Sequence, residues 1–250
     1  MLQSDLHTHS IASGHAFNTV DELARAAKRK RISVLGITDH GPSMEGAPTP
    51  GYFEMVDRLP AKIHGIVVLM GCEANVIDTQ GHLDLHEPYI TFQKLLLVGL
   101  HRRTPYPEVA SVEENTTALI KAMENHRVHI VAHPYRSVYP IDVTAVVDAA
   151  CKHDTLLEVN ASVFRRVFAS SPSPFDDPTM AHTRTMIQLL RSRGRGFVLN
   201  SDAHFTSELG IDEALMRDLQ RTLEFSMDDV VNASPSSMRG YVPALGDVST

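Results

Sequence analysis

The run Asp5-Leu6-His7-Thr8-His9 places two histidines one residue apart. On an extended strand residues i and i+2 point the same way, so two imidazoles could reach one ion. Further histidines and carboxylates follow the ends of other short apolar runs: Asp39 with His40, Glu73, His101, His133, and Asp202 with His204. His15 stands in the loop after the first run. The chain holds 14 histidines, and imidazole is both the commonest metal ligand and the usual acid or base near neutral pH. A lone histidine after a strand is usually a loop residue; here the recurrence at strand ends makes metal binding the stronger reading. Ligating imidazoles need a partner on the second ring nitrogen, and Asp5 is the expected orienting group. Asp39 reads either way. His64, His126, His129, His153 and His182 fall in helices, connections or the far ends of strands and read as surface residues, while His82 and His86 are left outside the site.

Residues so far apart meet only if the elements carrying them converge. Short apolar or alternating runs at 4–6, 33–38, 66–70, 95–99, 128–132, 156–160 and 196–200 give seven strands. Helical patterns near 20–30, 112–126, 142–153, 178–193 and 208–221 lie between them. Thr19 with Glu22, and Ser111 with Glu114, fit capping boxes that satisfy the free N–H groups of a first helical turn. The third connection, punctuated by Asp78, Gln80, Gly81 and Pro88, reads as a hairpin plus a short helix. Segments 42–50 and 170–178 read as loops, and 226–232 and 234–241 as short helices before a fraying tail. Alternation of strand and helix at intervals of roughly 30 residues predicts βαβ units and a parallel sheet, closed as a barrel or open and doubly wound. In a barrel the C-terminal strand ends gather on one face, which is where these ligands fall.

At 250 residues, 43% apolar and 21% charged, the chain suits one sizeable globular domain spanning 1–250. A net charge of -7 argues against a broad grip on nucleic acid, which needs a basic surface. Two cysteines without Cys-x-x-Cys spacing support neither a disulfide framework nor a thiolate zinc knuckle. The first ten residues lack the apolar run of a secretory signal, and no stretch approaches membrane-spanning length, so a cytoplasmic protein without a membrane partner is expected. A homo-oligomer, dimer or trimer, is compatible with all of this.

The runs Asp5-Leu6-His7-Thr8-His9-Ser10, Gly36-Ile37-Thr38-Asp39-His40-Gly41, Gly71-Cys72-Glu73-Ala74-Asn75, Ala132-His133-Pro134 and Ser201-Asp202-Ala203-His204 occur in the order of the motifs of the polymerase and histidinol phosphatase (PHP) family. The chain resembles this family from residue 1 to about 240, and most of all its stand-alone bacterial phosphatases of the YcdX type, as in Ile37 to Pro42 and Asn232 to Pro235. The resemblance implies a distorted seven-stranded (β/α)7 TIM-like barrel with a trinuclear metal site and no fused polymerase domain. It also implies a ligand assignment: His7, His9, Glu73 and Asp202 on one metal, Glu73, His101 and His133 on the second, and His15, His40 and His204 on the third. Catalysis is expected to depend above all on Glu73, Asp202 and His9.

Seven imidazoles and two carboxylates suit three divalent transition-metal ions, Zn, Mn or Fe, rather than Mg or Ca, which prefer oxygen shells. Three such ions against two carboxylates leave a pocket near +4 in formal charge, attractive to anions in an otherwise acidic chain. The expected chemistry is hydrolysis of a phosphoester, in the first instance a small phosphomonoester, by a metal-bridging hydroxide. Arg102, Arg103, Arg136, Arg165 and Arg166 follow strand ends, the last two in the loop after the sixth strand; Arg136 and Arg165 are the candidates for phosphate contact, as a guanidinium makes paired bonds to phosphate. Competing readings are a nucleotide or oligonucleotide phosphoesterase of the same family, an amide or lactone hydrolase, and a non-catalytic metal-binding module. The amide hydrolase would call for a carbamylated lysine at a strand end, and no strand end offers a lysine.

Overall fold

The computed structural model describes residues 2–170 and 177–246. Along the chain lie β1 (Ser4–Asp5), α1 (Val20–Arg29), β2 (Val34–His40), α2 (Pro50–Glu54), β3 (Lys62–Ile63), β4 (Ile66–Asn75), α3 (Tyr89–Phe92), β5 (Leu95–Gly99) and α4 (Val112–Asn125). They continue with β6 (Ile130–Val131), α5 (Val143–Lys152), β7 (Leu156–Asn160), α6 (Ala161–Ser170), α7 (Pro178–Ser192), β8 (Val198–Asn200), α8 (Glu213–Leu223) and α9 (Pro235–Met238). Seven strands run parallel in the order β1-β2-β4-β5-β6-β7-β8, and β3 pairs antiparallel with β4. The first and last strands meet. Thr8 pairs with Ala203, His9 N donates to Ala203 O, and Asp202 N donates to His7 O, both at 2.9 Å. The sheet is therefore a barrel and not an open doubly wound sheet.

Lower along this seam, side chains replace the ladder. Leu6 N donates to Asn200 Oδ1 at 3.0 Å, Leu199 N donates to Asn232 Oδ1 at 2.9 Å, and Asn232 Nδ2 donates to Ser4 O and Leu199 O. An amide carries both a donor and an acceptor, so it can fill the gap left by short strands without orphaning backbone groups. This gives Asn232, in the Asn232 to Pro235 run, a structural role where the barrel closes.

Side-chain alternation divides the barrel interior into two zones. Val34, Val67, Leu69, Leu95, Leu97, Ile130, Leu156 and Val198 fill its lower part, closed beneath by Met238, Val242 and Leu245. The same inward parity carries on to His40 in β2, Glu73 in β4 and Glu158 in β7 at the C-terminal ends. At Gly71 a Cβ would meet the backbone carbonyl of Leu95, so only glycine lets β4 and β5 approach there. Around the barrel, α4, α5, α7 and α8 bury a second apolar layer against the outer strand faces.

Both capping boxes form, at Thr19 with Glu22 and at Ser111 with Glu114. The third connection contains the expected hairpin pairing, Val76 with Leu83, followed by α3. Arg165 and Arg166 lie in α6 rather than in a loop: Asn160, the last residue of β7, accepts a hydrogen bond from Val163 N, so the strand end itself caps the helix. The short C-terminal helices are present; the tail falls outside the described residues. Both cysteines are free, and no helix among the described residues is long and apolar enough to cross a membrane.

His129 is buried instead of lying at the surface, because its Nδ1 accepts the Leu96 N–H at 2.9 Å. Burial, with Arg127 nearby, lowers its pKa from 6.5 to about 4. Protonation destroys that acceptor. A histidine with a depressed folded pKa contributes stability fully above its unfolded pKa and loses it as pH falls. The unfolded chain binds the extra proton between about pH 6.5 and 4, so His129 should account for about 3 kcal/mol of stability lost across that window. Urea unfolding at pH 7.5 and pH 4.5 checks this: His129→Gln should show a smaller pH-dependent loss than the parent, and an equal loss would exonerate His129.

Candidate metal centre

The strand ends, with the loop after β1 that carries His15, bring the nine candidate ligands to one end of the barrel, and most of them into direct contact. Glu73, fully buried at the upper end of β4, stands at the centre with its two oxygens facing different sets. Oε2 lies 3.3 Å from His7 Nε2, 3.4 Å from His9 Nε2 and 2.9 Å from His40 Nδ1. Oε1 lies 3.2 Å from His101 Nε2 and 2.9 Å from His133 Nε2. Asp202 Oδ1 approaches His9 Nε2 at 3.2 Å and His7 Nε2 at 3.6 Å. His204 Nδ1 is 3.6 Å from Asp202 Oδ1. His15 is exposed and stacks on His40 and His204, with ring centroids 4.9 Å from each.

The donor chemistry fits divalent transition metals. Four groups of three ligand atoms lie within 4.8 Å of one another: His7-His9-Asp202, His7-Glu73-His133, His40-Glu73-His101 and His9-His40-His204. His40 Nδ1, Glu73 Oε2 and Asp202 Oδ1 are buried and make no hydrogen bond. His40 Nδ1 and Glu73 Oε2 are only 2.9 Å apart yet misaligned for one. Close polar atoms that do not bond to each other suit a common third centre better than a satisfied core, where such groups would be paired. His40 reaches toward Glu73 and His101 as well as toward His9 and His204, a wider reach than its expected place in the third set alone.

Electrostatics favours positive charge here. Burial would raise the Glu73 carboxyl, but His7, His101 and His40 outweigh it and hold it well below the usual range. Asp202 is held down likewise, by His7 and His9 against its burial. Burial, helped by neighbouring imidazoles, keeps His9 below its ordinary value and pushes His101 down to about 4, and partial desolvation beside His40 and His204 lowers the more exposed His15. Ionised carboxylates and neutral imidazoles are the protonation states that ligation needs. His7 is the exception: burial opposes its charge, but Glu158, Glu73 and Asp202 raise its pKa well above 6.5. A metal ion would supply that positive charge in place of the proton.

The groups that aim these ligands are partly unexpected. Asp5 touches no imidazole; its carboxylate accepts from Ser201 N and Gly210 N and so fixes the loop bearing Asp202 and His204. Glu158 takes the orienting role, with Oε1 2.8 Å from His7 Nδ1. Asn200 Nδ2 and Asn160 Nδ2 donate to Glu158, and Asn160 Nδ2 also reaches Asp202 Oδ2 at 3.2 Å. Asp39 acts one step removed: His9 Nδ1 is 2.9 Å from Ser13 Oγ, which donates to Asp39 Oδ1 at 2.7 Å, while Tyr52 OH donates to Oδ2. The sequence signal for Glu158 was a charged residue at an inward position of an otherwise apolar strand. His133 and Asp202 adopt left-handed backbone, with φ of 57° and 54°. That conformation is costly for non-glycine residues and gathers at functional positions. Gly99 makes room beside them, since a Cβ there would press on the His101 and His133 rings.

A cavity of about 580 Å³ opens over the cluster, walled by His15, His40, His101, His133, Asp202 and His204 and by Arg102, Arg136, Arg165 and Arg166. Arg165 donates to Glu208 O and Gly210 O, both at 3.2 Å, and so braces the loop after β8. No hydrogen bond to the Arg136 guanidinium occurs among the described residues, and burial depresses its pKa. His64 and His82 pair with Asp21 and Asp78 away from this site, and His86 is exposed.

The family model of the PHP domain matches residues 5–232. A probable phosphatase of Caldanaerobacter subterraneus subsp. tengcongensis is 37% identical over 239 residues, covering 95% of this chain and 90% of that protein. The probable phosphatase YcdX of Escherichia fergusonii is 34% identical over 247 residues, 98% of this chain and 96% of its own. Among solved structures, the histidinol phosphate phosphatase of Lactococcus lactis subsp. lactis, complexed with zinc, L-histidinol and phosphate, shares the fold with a TM-score of 0.60 at 16% identity, covering 89% of this chain and 92% of that one. With the family model spanning nearly the whole chain and such relatives aligned end to end, this chain belongs to the PHP domain family.

Proposed function

We propose that the chain is a cytoplasmic, metal-dependent phosphoester hydrolase whose residues 1–250 work as one domain around three divalent transition-metal ions. The carrying observation is Glu73, which offers one oxygen to His7, His9 and His40 and the other to His101 and His133, as a bridge between two ions must. His7, His9, Glu73 and Asp202 would hold one ion, Glu73, His101 and His133 the second, and His15, His40 and His204 the third. Such ions supply Lewis acidity toward phosphoryl oxygens and a water acidic enough to ionise near neutral pH. The protein's own groups do the positioning. Glu73 and Asp202 stay ionised, Glu158 holds the Nδ1 proton of His7 so that Nε2 faces the cluster, and Ser13 holds the His9 ring. Arg136, whose guanidinium makes no hydrogen bond among the described residues, takes the phosphoryl oxygens in preference to Arg165. An amide hydrolase is disfavoured because no lysine lines the cavity among the described residues.

The test is release of phosphate from a chromogenic phosphomonoester by protein stripped with a chelator and then reloaded. Zn or Mn should restore activity and Mg little. A metal-replete, folded preparation that hydrolyses no phosphoester would leave only the binding module. Glu158→Gln probes the orienting group. An amide keeps the shape but has one acceptor where Glu158 uses both oxygens, so it loses a bond to His7 or to an asparagine along with the charge beside the ring, and metal affinity should fall roughly 10- to 100-fold. Competition with a chromogenic chelator measures it, and unchanged affinity would reduce Glu158 to a core residue.

A further inference from the structure

We propose that the natural substrate carries a second anionic group, a few bonds from the phosphoryl group that is cleaved, and that Arg102 and Arg166 receive it. This rests on the phosphoesterase reading above and names the class of its leaving alcohol. At about 580 Å³ the cavity is far larger than one phosphoryl group requires, given that a water takes roughly 30 Å³. The space beyond the metal ligands is not neutral. Arg102 follows His101 at the end of β5, Arg136 follows β6, and Arg165 and Arg166 lie in the helix that leaves β7. Three consecutive strands thus present guanidinium groups to one half of the rim, while the opposite half carries His15, His40, Met44 and His204.

The acids nearby do not neutralise this half. Glu208 Oε2 accepts from His204 N and Phe205 N at 2.9 and 3.1 Å, and Asp202 faces His7 and His9. Among the described residues Arg166 leans only on Ser162, at 3.2 Å to its carbonyl and 3.3 Å to its hydroxyl, and Arg102 makes no hydrogen bond through its side chain. Burial disfavours the Arg136 charge and Arg166 opposes it as well, while the carboxylates Asp202 and Glu73 favour it. Unpaired like charges around one cavity are unfavourable in isolation and select an anion when one arrives. With Arg136 on the cleaved phosphoryl group, Arg166 and Arg102 remain for a second phosphate or carboxylate. A cationic alcohol would be repelled.

Three phosphonates that differ only at the far end separate the outcomes. Propane-1,3-bisphosphonate, propylphosphonate and 3-aminopropylphosphonate are titrated calorimetrically into the metal-loaded enzyme. The bisphosphonate should bind at least about 10-fold more tightly than propylphosphonate, the scale of one or two charge-assisted hydrogen bonds, and the amine no more tightly than propylphosphonate. The margin should shrink with added salt. Arg102→Gln combined with Arg166→Gln should erase it and leave propylphosphonate affinity unchanged. Equal binding of all three, or a margin that survives the double substitution, overturns the second subsite; hydrolysis of a simple phosphomonoester by the same sample then shows the phosphoesterase reading intact. Failure to bind any phosphonate, together with no phosphoester hydrolysis, removes both.

Discussion

Glu73→Gln is expected to keep the barrel folded, lose at least one metal ion and lower phosphoester turnover by roughly 100-fold or more, the cost of removing a comparable electrostatic group. The reason is geometric as well as electrostatic. Glu73 Oε2 and Oε1 face separate imidazole sets at 2.9–3.4 Å, so in the proposed centre one carboxylate would screen two ions from each other and fix how far apart they sit. A glutamine of the same shape supplies neither the charge nor a second acceptor. The side chain is fully buried among imidazoles, so its amide would also turn an N–H toward groups that should be ligand nitrogens. Metal content and rate measured on one sample decide the matter. If both stay at the parent's values, Glu73 is no bridge.

His15→Ala is expected to remove about one ion, leave the pair around Glu73 occupied, and reduce turnover by roughly 100-fold through lost stabilisation of transition-state charge. His15 is the most exposed of the nine and meets the others only by stacking on His40 and His204. The ion it would help hold has no bridging carboxylate in the proposed assignment and should be the first to leave under mild chelation. Because His9, His40 and His204 also bring ligand atoms within 4.8 Å, the alternative is specific: a variant with full metal and full rate would show that His9 completes this set and that His15 is a loop histidine.

The barrel and its ligand-bearing end were legible in the sequence because period and punctuation agree there: apolar runs end in histidine or carboxylate, and capped helices follow. What stayed hidden depends on long-range pairing. Nothing local marks Asn200 and Asn232 as the substitute ladder between the first and last strands. Asp5 lies two residues from His7, which suggests that it orients that ring, yet the ring turns to Glu158 on β7, next but one around the barrel and 151 positions away in the chain. His129 reads as a surface residue until β5 supplies its donor. The left-handed backbone at His133 and Asp202 has only a weak signature in residue type, since aspartate and histidine enter that region more often than most residues but far less freely than glycine. Counting Glu158 and Asp39 with Glu73 and Asp202 would also lower the formal charge of the proposed three-ion centre to about +2, less cationic than the ligands alone suggest. Much of the anion attraction must then come from the arginines on the rim.

The most direct measurement is anomalous diffraction at the zinc edge from crystals grown with zinc. Three peaks within the cluster are expected: two flanking the Glu73 carboxylate, one toward His7, His9 and Asp202 and one toward His101 and His133, and a third against His40 and His204. A fully ordered barrel with no peak inside the cluster, or with a single ion that Glu73 does not touch, would contradict a multinuclear centre bridged by Glu73.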